Sequence, residues 1–140
     1  MDRQELGELQ GLLLRAVLRG EPLPGGHEPV SFPDLRFVLA GPEVLVLDEN
    51  LGRPPEVEDS PKPVRVVGGE ALRDERPDDD VAYLRFGPAE EADDIVRINL
   101  EARIRPREGR QALGLGGLQA RFQRVSSGWQ LAEPPEFFAM

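Results

Sequence analysis

The sequence predicts an α+β fold in which one N-terminal helix packs on a face of a curved antiparallel β-sheet. Three stretches carry that prediction. Over residues 95–104, Val96, Ile98, Leu100, Ala102 and Ile104 alternate with Arg97, Asn99, Glu101 and Arg103, the period-two pattern of a strand with one wet face. A parallel strand buried on both faces would read as an unbroken apolar run, so the alternation points to an antiparallel sheet covered on one side. Residues 118–125 repeat it, with Leu118, Ala120 and Phe122 inward and Gln119, Arg121 and Gln123 outward. The third stretch, residues 3–19, supplies the cover: Leu6, Leu9, Leu13, Ala16 and Val17 recur at helical spacing, widened by Leu12, Leu14 and Leu18. At 140 residues the chain is one domain's worth and predicts a single core over 1–140.

Local signals place the other elements. Asp2 and Glu5 have the spacing of a helix N-terminal capping box, and Gly20 supplies a left-handed stop. Gly7 and Gly11 share one helix face, which reads either as tight packing on the chain's own sheet or as close approach to a partner. Residues 20–34 hold four prolines and two adjacent glycines and predict a loop, with a short extended piece at 30–32. Residues 35–39 and 44–47, joined by Ala40-Gly41-Pro42-Glu43, read as a hairpin. The acidic, proline-rich segment at about 48–63 reads as a mobile excursion. A short strand at 64–67, one helical turn at 69–73 and a strand at 81–86 follow; in the last, Ala82, Leu84 and Phe86 face inward and Tyr83 and Arg85 outward. Residues 105–117 read as a loop and 126–128 as a turn before a strand carrying Trp129 and Leu131. The tail, with Pro134-Pro135 ahead of Phe137-Phe138, reads as a strap on the core or an exposed anchor for another chain.

Composition excludes more than it suggests. With no cysteine there is no disulfide, thiolate nucleophile or zinc ribbon, which fits a reducing compartment. The N-terminus is acidic and its leucine run is broken by Gly7, Gly11, Arg15 and Arg19, so neither a signal peptide nor a membrane span is expected, and the expected location is the cytoplasm. Seventeen bases against 26 acids give a net charge of −9, a field that repels nucleic acid and anionic lipid. The charge is uneven: residues 95–125 hold seven arginines (97, 103, 105, 107, 110, 121, 124) against Glu101 and Glu108, a local +5. Lysine occurs once, at Lys62, and threonine never, a bias that looks like a GC-rich bacterial genome.

No catalytic constellation is visible. His27, the one histidine, has no second ligand or base at a telling spacing and reads as an exposed loop residue. Ser31, Ser60, Ser126 and Ser127 lack a nucleophile-elbow context, and Gly68-Gly69 lacks the rest of a phosphate-binding loop. The acidic clusters at 78–80 and 90–94 lack the glycine and terminal glutamate of a calcium loop and stand at opposite ends of one strand. No cofactor or metal is expected, and the enzyme reading is the weaker one.

The segments at 81–86, 95–104, 118–124 and 127–131 together resemble the closing meander of cystatin-like and NTF2-like domains, in which a helix lies across a curved antiparallel sheet. NTF2-like proteins open with a group of helices around a cone-shaped pocket. This chain has one clear helix, so the simpler cystatin-like arrangement suits it better. No catalytic residue carries over from either family. The candidate interaction face is the outer side of the sheet, where Tyr83, Arg85, Arg97, Asn99, Glu101, Arg103, Gln119, Arg121 and Gln123 would lie side by side. Arginine and tyrosine there suit a contact with another protein or a second copy of the chain. The favoured function is a bacterial protein-interaction module, an immunity-type inhibitor or accessory subunit. The rival is a small-molecule carrier or isomerase-type enzyme with a pocket between helix and sheet, lined by Tyr83, Trp129 or Phe122.

Overall fold

The computed structural model describes residues 1–32, 34–107 and 111–140. Glu108 and Arg110, counted above in the arginine-rich stretch, and the part of the predicted 105–117 loop at 108–110 therefore lie outside the described residues, as does Pro33 in the 20–34 loop. The elements are α1 (Arg3–Arg19), α2 (Leu35–Val38), β1 (Val44–Leu47), β2 (Val64–Val67), α3 (Gly69–Asp74), β3 (Val81–Phe86), β4 (Glu90–Ala92), β5 (Ile95–Arg105), β6 (Leu113–Val125), β7 (Gly128–Leu131) and β8 (Glu136–Ala139). They form an α+β domain with α1 held by a strongly curled, mostly antiparallel sheet.

Helix α1 begins and ends where the sequence says it should. The Asp2 carboxylate accepts from the backbone N–H of Glu5 at 2.8 Å, satisfying one of the donors a helix start leaves unpaired. Gly20 takes the left-handed conformation (φ 63°, ψ 40°) and returns its N–H to the Ala16 carbonyl. The Glu5 side chain does not close the box; it pairs with Arg124 of β6 and ties the helix start to the sheet. Leu9, Leu13, Leu14 and Val17 are buried against Phe86, Val96, Ile98, Leu100, Leu118 and Phe122. Each such side chain contributes about 1.5–3 kcal/mol by leaving water.

The sheet order is β2-β1-β3-β5-β6-β7, with β4 added to β5 and β8 to β6. The antiparallel β3-β5-β6 centre follows the alternation of the sequence, and β5 shows it along its length, odd positions half-buried and even ones buried as far as Ala102. Between Ala102 and Arg103 the register with β6 shifts, so that Leu115 has no partner on β5. Such a bulge bends and twists the strands and helps curl the sheet around the helix.

Two expectations fail at the other end. Residues 35–39 are not a strand: Leu35–Val38 is a single helical turn, and Leu35, Val38 and Leu39 turn inward at helical rather than strand spacing. The partners of β1 are therefore β2 and β3, both parallel to it. Parallel neighbours need long crossovers. Residues 48–63 lie on the α1 side and α3 on the other, where Leu72 covers Leu45, Leu47, Val67, Val81 and Tyr83 in a second small core. With both faces covered, all four residues of β1 are buried.

The 48–63 segment has no regular structure, yet it is tied to the helix. Gln10, 1% exposed, donates from Nε2 to the Asn50 carbonyl at 2.8 Å and accepts at Oε1 from the Gly52 N–H at 3.0 Å. Asn50 in turn donates from its side chain to the Phe86 carbonyl at 2.8 Å, joining helix, segment and β3. A Cβ on Gly52 would stand 2.6 Å from the Gly7 amide nitrogen, so the close approach requires glycine there. Gly7 is thus explained by packing within the chain, whereas a Cβ on Gly11 would meet nothing within 4 Å. Gly11→Ala is expected to stabilise by about 1 kcal/mol through helix propensity alone. Gln10→Leu, which leaves a buried carbonyl and amide unpaired, is expected to cost about 2–3 kcal/mol. Chemical unfolding of the two variants tests both signs.

Candidate functional site: the outer face of the sheet

Eight of the nine residues expected on the outer face are there. Registers Arg85↔Glu101, Arg97↔Arg121, Asn99↔Gln119 and Ile95↔Gln123 set them in rows across β3, β5 and β6. Tyr83 is the exception. It does point away from α1, but α3 covers it, and at 4% exposure it belongs to the second core. Strand alternation gives the side of the sheet; it does not show that a later helix will bury that side.

The arginines are not bare. Glu101, at the centre, accepts from Arg85 at 3.3 Å and Arg103 at 3.2 Å. Arg85 also donates to Glu49 at 2.8 Å, Arg97 pairs with Glu90, and Arg121 meets Glu133 at 2.8 Å and Glu136 at 3.5 Å. Glu49, Glu90, Glu133 and Glu136 all come from outside β3, β5 and β6 and fold over their edges. The Arg85 guanidinium is held above its ordinary pKa, chiefly by the hydrogen bond to Glu49, with burial opposing and Glu101 adding to the rise. Arg65, at the β2 edge, is raised in the same sense by Glu75 and then Glu43. A raised arginine keeps its charge throughout the ordinary pH range, so these pairs fix geometry and do not switch.

All eight residues are half-buried, and the five charged ones, Arg85, Arg97, Glu101, Arg103 and Arg121, are held along the sheet by these pairs. Asn99 and Gln119 face each other between the arginine rows, and Gln123 sits opposite Ile95 near the β6–β7 turn. The face is a set of arginine–glutamate pairs instead of the positive patch that β5 and β6 suggest when read alone.

Arg105 was hidden in the sequence as a loop residue. It ends β5 with 7% exposure and donates to three backbone carbonyls, of Arg73, Arg76 and Asp79, each at 2.9 Å. It closes the end of α3 and holds the approach to β3. The acids beyond that approach behave differently from those on the sheet face: Asp78, Asp79, Asp93 and Asp94 are exposed and make no ion pair among the described residues. Among the described residues no three acidic or histidine side chains are placed to hold a metal ion, and no helix is long and apolar enough to cross a membrane.

The space between helix and sheet, where a helix-on-curled-sheet protein could hold a ligand, is filled by the main core, and Phe122 is part of that filling. A groove of about 730 Å³ runs instead along the outer flank of α1. Gly7, Gly11 and Leu12 form one wall, Arg53, Pro54 and Pro55 another, and Trp129 one end. Trp129 is stacked by Arg124, whose guanidinium carbon lies 4.4 Å from the ring centre. His27 lies apart, at the rim of an apolar cleft of about 540 Å³ between the 23–30 loop and the segment leading to β8.

Fold and site together define an α+β protein with one long helix in a curled sheet and a charge-paired outer face. No family model, curated protein or solved structure matches the chain.

The lattice has a measurable centre. Glu101→Gln is expected to lower stability by about 1 kcal/mol or less, because the pairs are partly solvated. The loss should shrink in high salt, and melting curves at low and high ionic strength are the check.

Proposed function

We propose that this chain is a non-catalytic protein-interaction module of the cytoplasm, of the immunity-inhibitor or accessory-subunit kind, and that it meets a basic partner protein through its acidic edge loops. The observation that carries this reading is the distribution of unspent charge. The arginines of the sheet face are neutralised by the chain's own glutamates, so the net charge of −9 rests on acids that make no ion pair among the described residues, and Asp78–Asp80 and Asp93–Asp94 are two exposed clusters of them. Carboxylates held at exposed turns steer a positively charged surface into contact at little desolvation cost. The filled helix–sheet interface supports the same reading, since it leaves outer surfaces as the places where recognition can happen.

The test is kinetic. With the partner recovered from cells of the native host, replacing Asp78, Asp79, Asp80, Asp93 and Asp94 by Asn should slow association at low salt by about tenfold or more and remove most of its salt dependence. Equal rates for the two proteins would overturn the reading.

A second reading, a small-molecule carrier or enzyme with its site on the outer flank of α1 instead of between helix and sheet, is favoured by the groove beside Trp129. Trp129 is the only tryptophan, so all tryptophan fluorescence comes from the end of that groove. Saturable shifts in Trp129 emission with small amphipathic molecules, absent in Gly11→Leu where the groove is filled, would support it. Identical spectra across a broad ligand panel would remove it.

A further inference from the structure

We propose that the outer edge of β8 pairs antiparallel with β8 of a second copy, joining two sheets about a two-fold axis at Phe138. Four strand edges face outward in this sheet, and three of them are guarded. β2 follows Pro61 and Pro63, and its Arg65 is clamped by Glu43 and Glu75. β4 presents Glu90 and Glu91. β7 is covered by the 23–26 loop, whose Pro24 carbonyl accepts from the Leu131 N–H at 2.8 Å. Proline, charge and a covering loop are the usual means of keeping a strand edge from pairing.

β8 follows Pro134 and Pro135 and starts at Glu136, but its remaining residues, Phe137, Phe138 and Ala139, carry neither proline nor charge. It pairs with β6 on one side through Gly116↔Ala139, Gly117↔Phe138, Leu118↔Phe137 and Gln119↔Glu136, and no other strand pairs with it among the described residues. Its side chains are those that an interface buries: Phe137 is 45% exposed, Phe138 36% and Met140 51%, with Leu113 nearby on β6 at 59%. Its one charge, Glu136, is turned to Arg121 at 3.5 Å.

The occupant follows from the register. In an antiparallel pair, residues directly opposite share a face, so a two-fold at Phe138 sets Phe138 against Phe138, Phe137 against Ala139 and Glu136 against Met140. No like charges meet, and each phenylalanine faces either its own copy or the one small side chain of the strand. Ala139 also borders a cleft of about 250 Å³, shared with Phe32 and Leu115, which gives the incoming Phe137 ring room. A strand of different sequence would satisfy the backbone but not this reciprocal fit of aromatic to alanine. One four-residue strand makes a small interface, under about 1,200 Å² in all, so the affinity expected is micromolar or weaker. The proposal is independent of the acidic-loop contact, which uses other residues.

Sedimentation of the full chain over about 10 μM to 1 mM tests it, a range set by that weak affinity. A monomer–dimer equilibrium is expected. Met140→Lys, opposite Glu136 of the second copy, should tighten it about threefold or more, and Met140→Glu should weaken it by a similar factor. Phe138→Lys and Phe138→Glu should each be monomeric alone and should form a heterodimer when mixed. A monomer at the highest concentration, or a dimer indifferent to the Met140 pair of variants, overturns the proposal. The Met140 variants decide the matter if the Phe138 variants do not fold, since Met140 is half exposed and its two replacements carry opposite charges.

Discussion

The helix packed inside the curl of the sheet is the constraint on which everything else rests. Leu9, Leu13, Leu14 and Val17 are buried only because β3, β5 and β6 bend around them, and those strands find a dry face only because the helix is there. The bulge at Ala102/Arg103 helps produce the bend, and the pairing of Glu5 with Arg124 holds the helix start against β6. Once this face is dry, the opposite face of the same strands must be wet or separately covered. At β5 and β6 it is wet and becomes the ion-pair lattice; at β1 and β3 it is covered by α3 and becomes a second core.

The edge segments act as satisfying partners for the sheet. Glu49 follows β1, Glu90 lies on β4, and Glu133 and Glu136 come from the stretch that forms β8. Each neutralises an arginine from the centre, so a composition that looks polarised along the chain is mixed in space. The segment at 48–63 works in the same way: Asn50 and Gly52 satisfy the two ends of the buried Gln10 amide, and a stretch with few apolar residues is anchored by three hydrogen bonds. Arg105 does for α3 what Gln10 does for α1, presenting a fixed polar group to backbone that would otherwise be buried unpaired.

What remains after this mutual satisfaction is what the molecule has to offer other molecules. The exposed acids at 78–80 and 93–94, the groove beside Trp129 and the unguarded edge of β8 are three separate surfaces with three separate chemistries. The first suits a basic protein, the second a small molecule, and the third a strand. They share no residue, although Asp94 and Trp129 border one cleft.

The helix, its caps and the alternating strands β3, β5, β6 and β7 were legible in the sequence because each is decided by neighbours within a few residues: Asp2 with Glu5, Gly20 after Arg19, Val96 beside Arg97. One missed feature also left a signal, since Val44-Leu45-Val46-Leu47 is the unbroken apolar run of a strand buried on both faces, and it predicts the parallel pairing that the hairpin reading displaced. The start of β6 was concealed for a different reason. Gly114, Gly116 and Gly117 read as loop, but Gly117 is bare so that the Phe138 ring of β8 can lie against it, a requirement set by a residue 21 positions away. Tyr83 under α3, Arg105 among three carbonyls and the glutamates over the arginines were likewise decided by tertiary structure alone. A side chain's face follows from the local period, whereas its burial and its ion partners depend on which distant segment arrives to cover it.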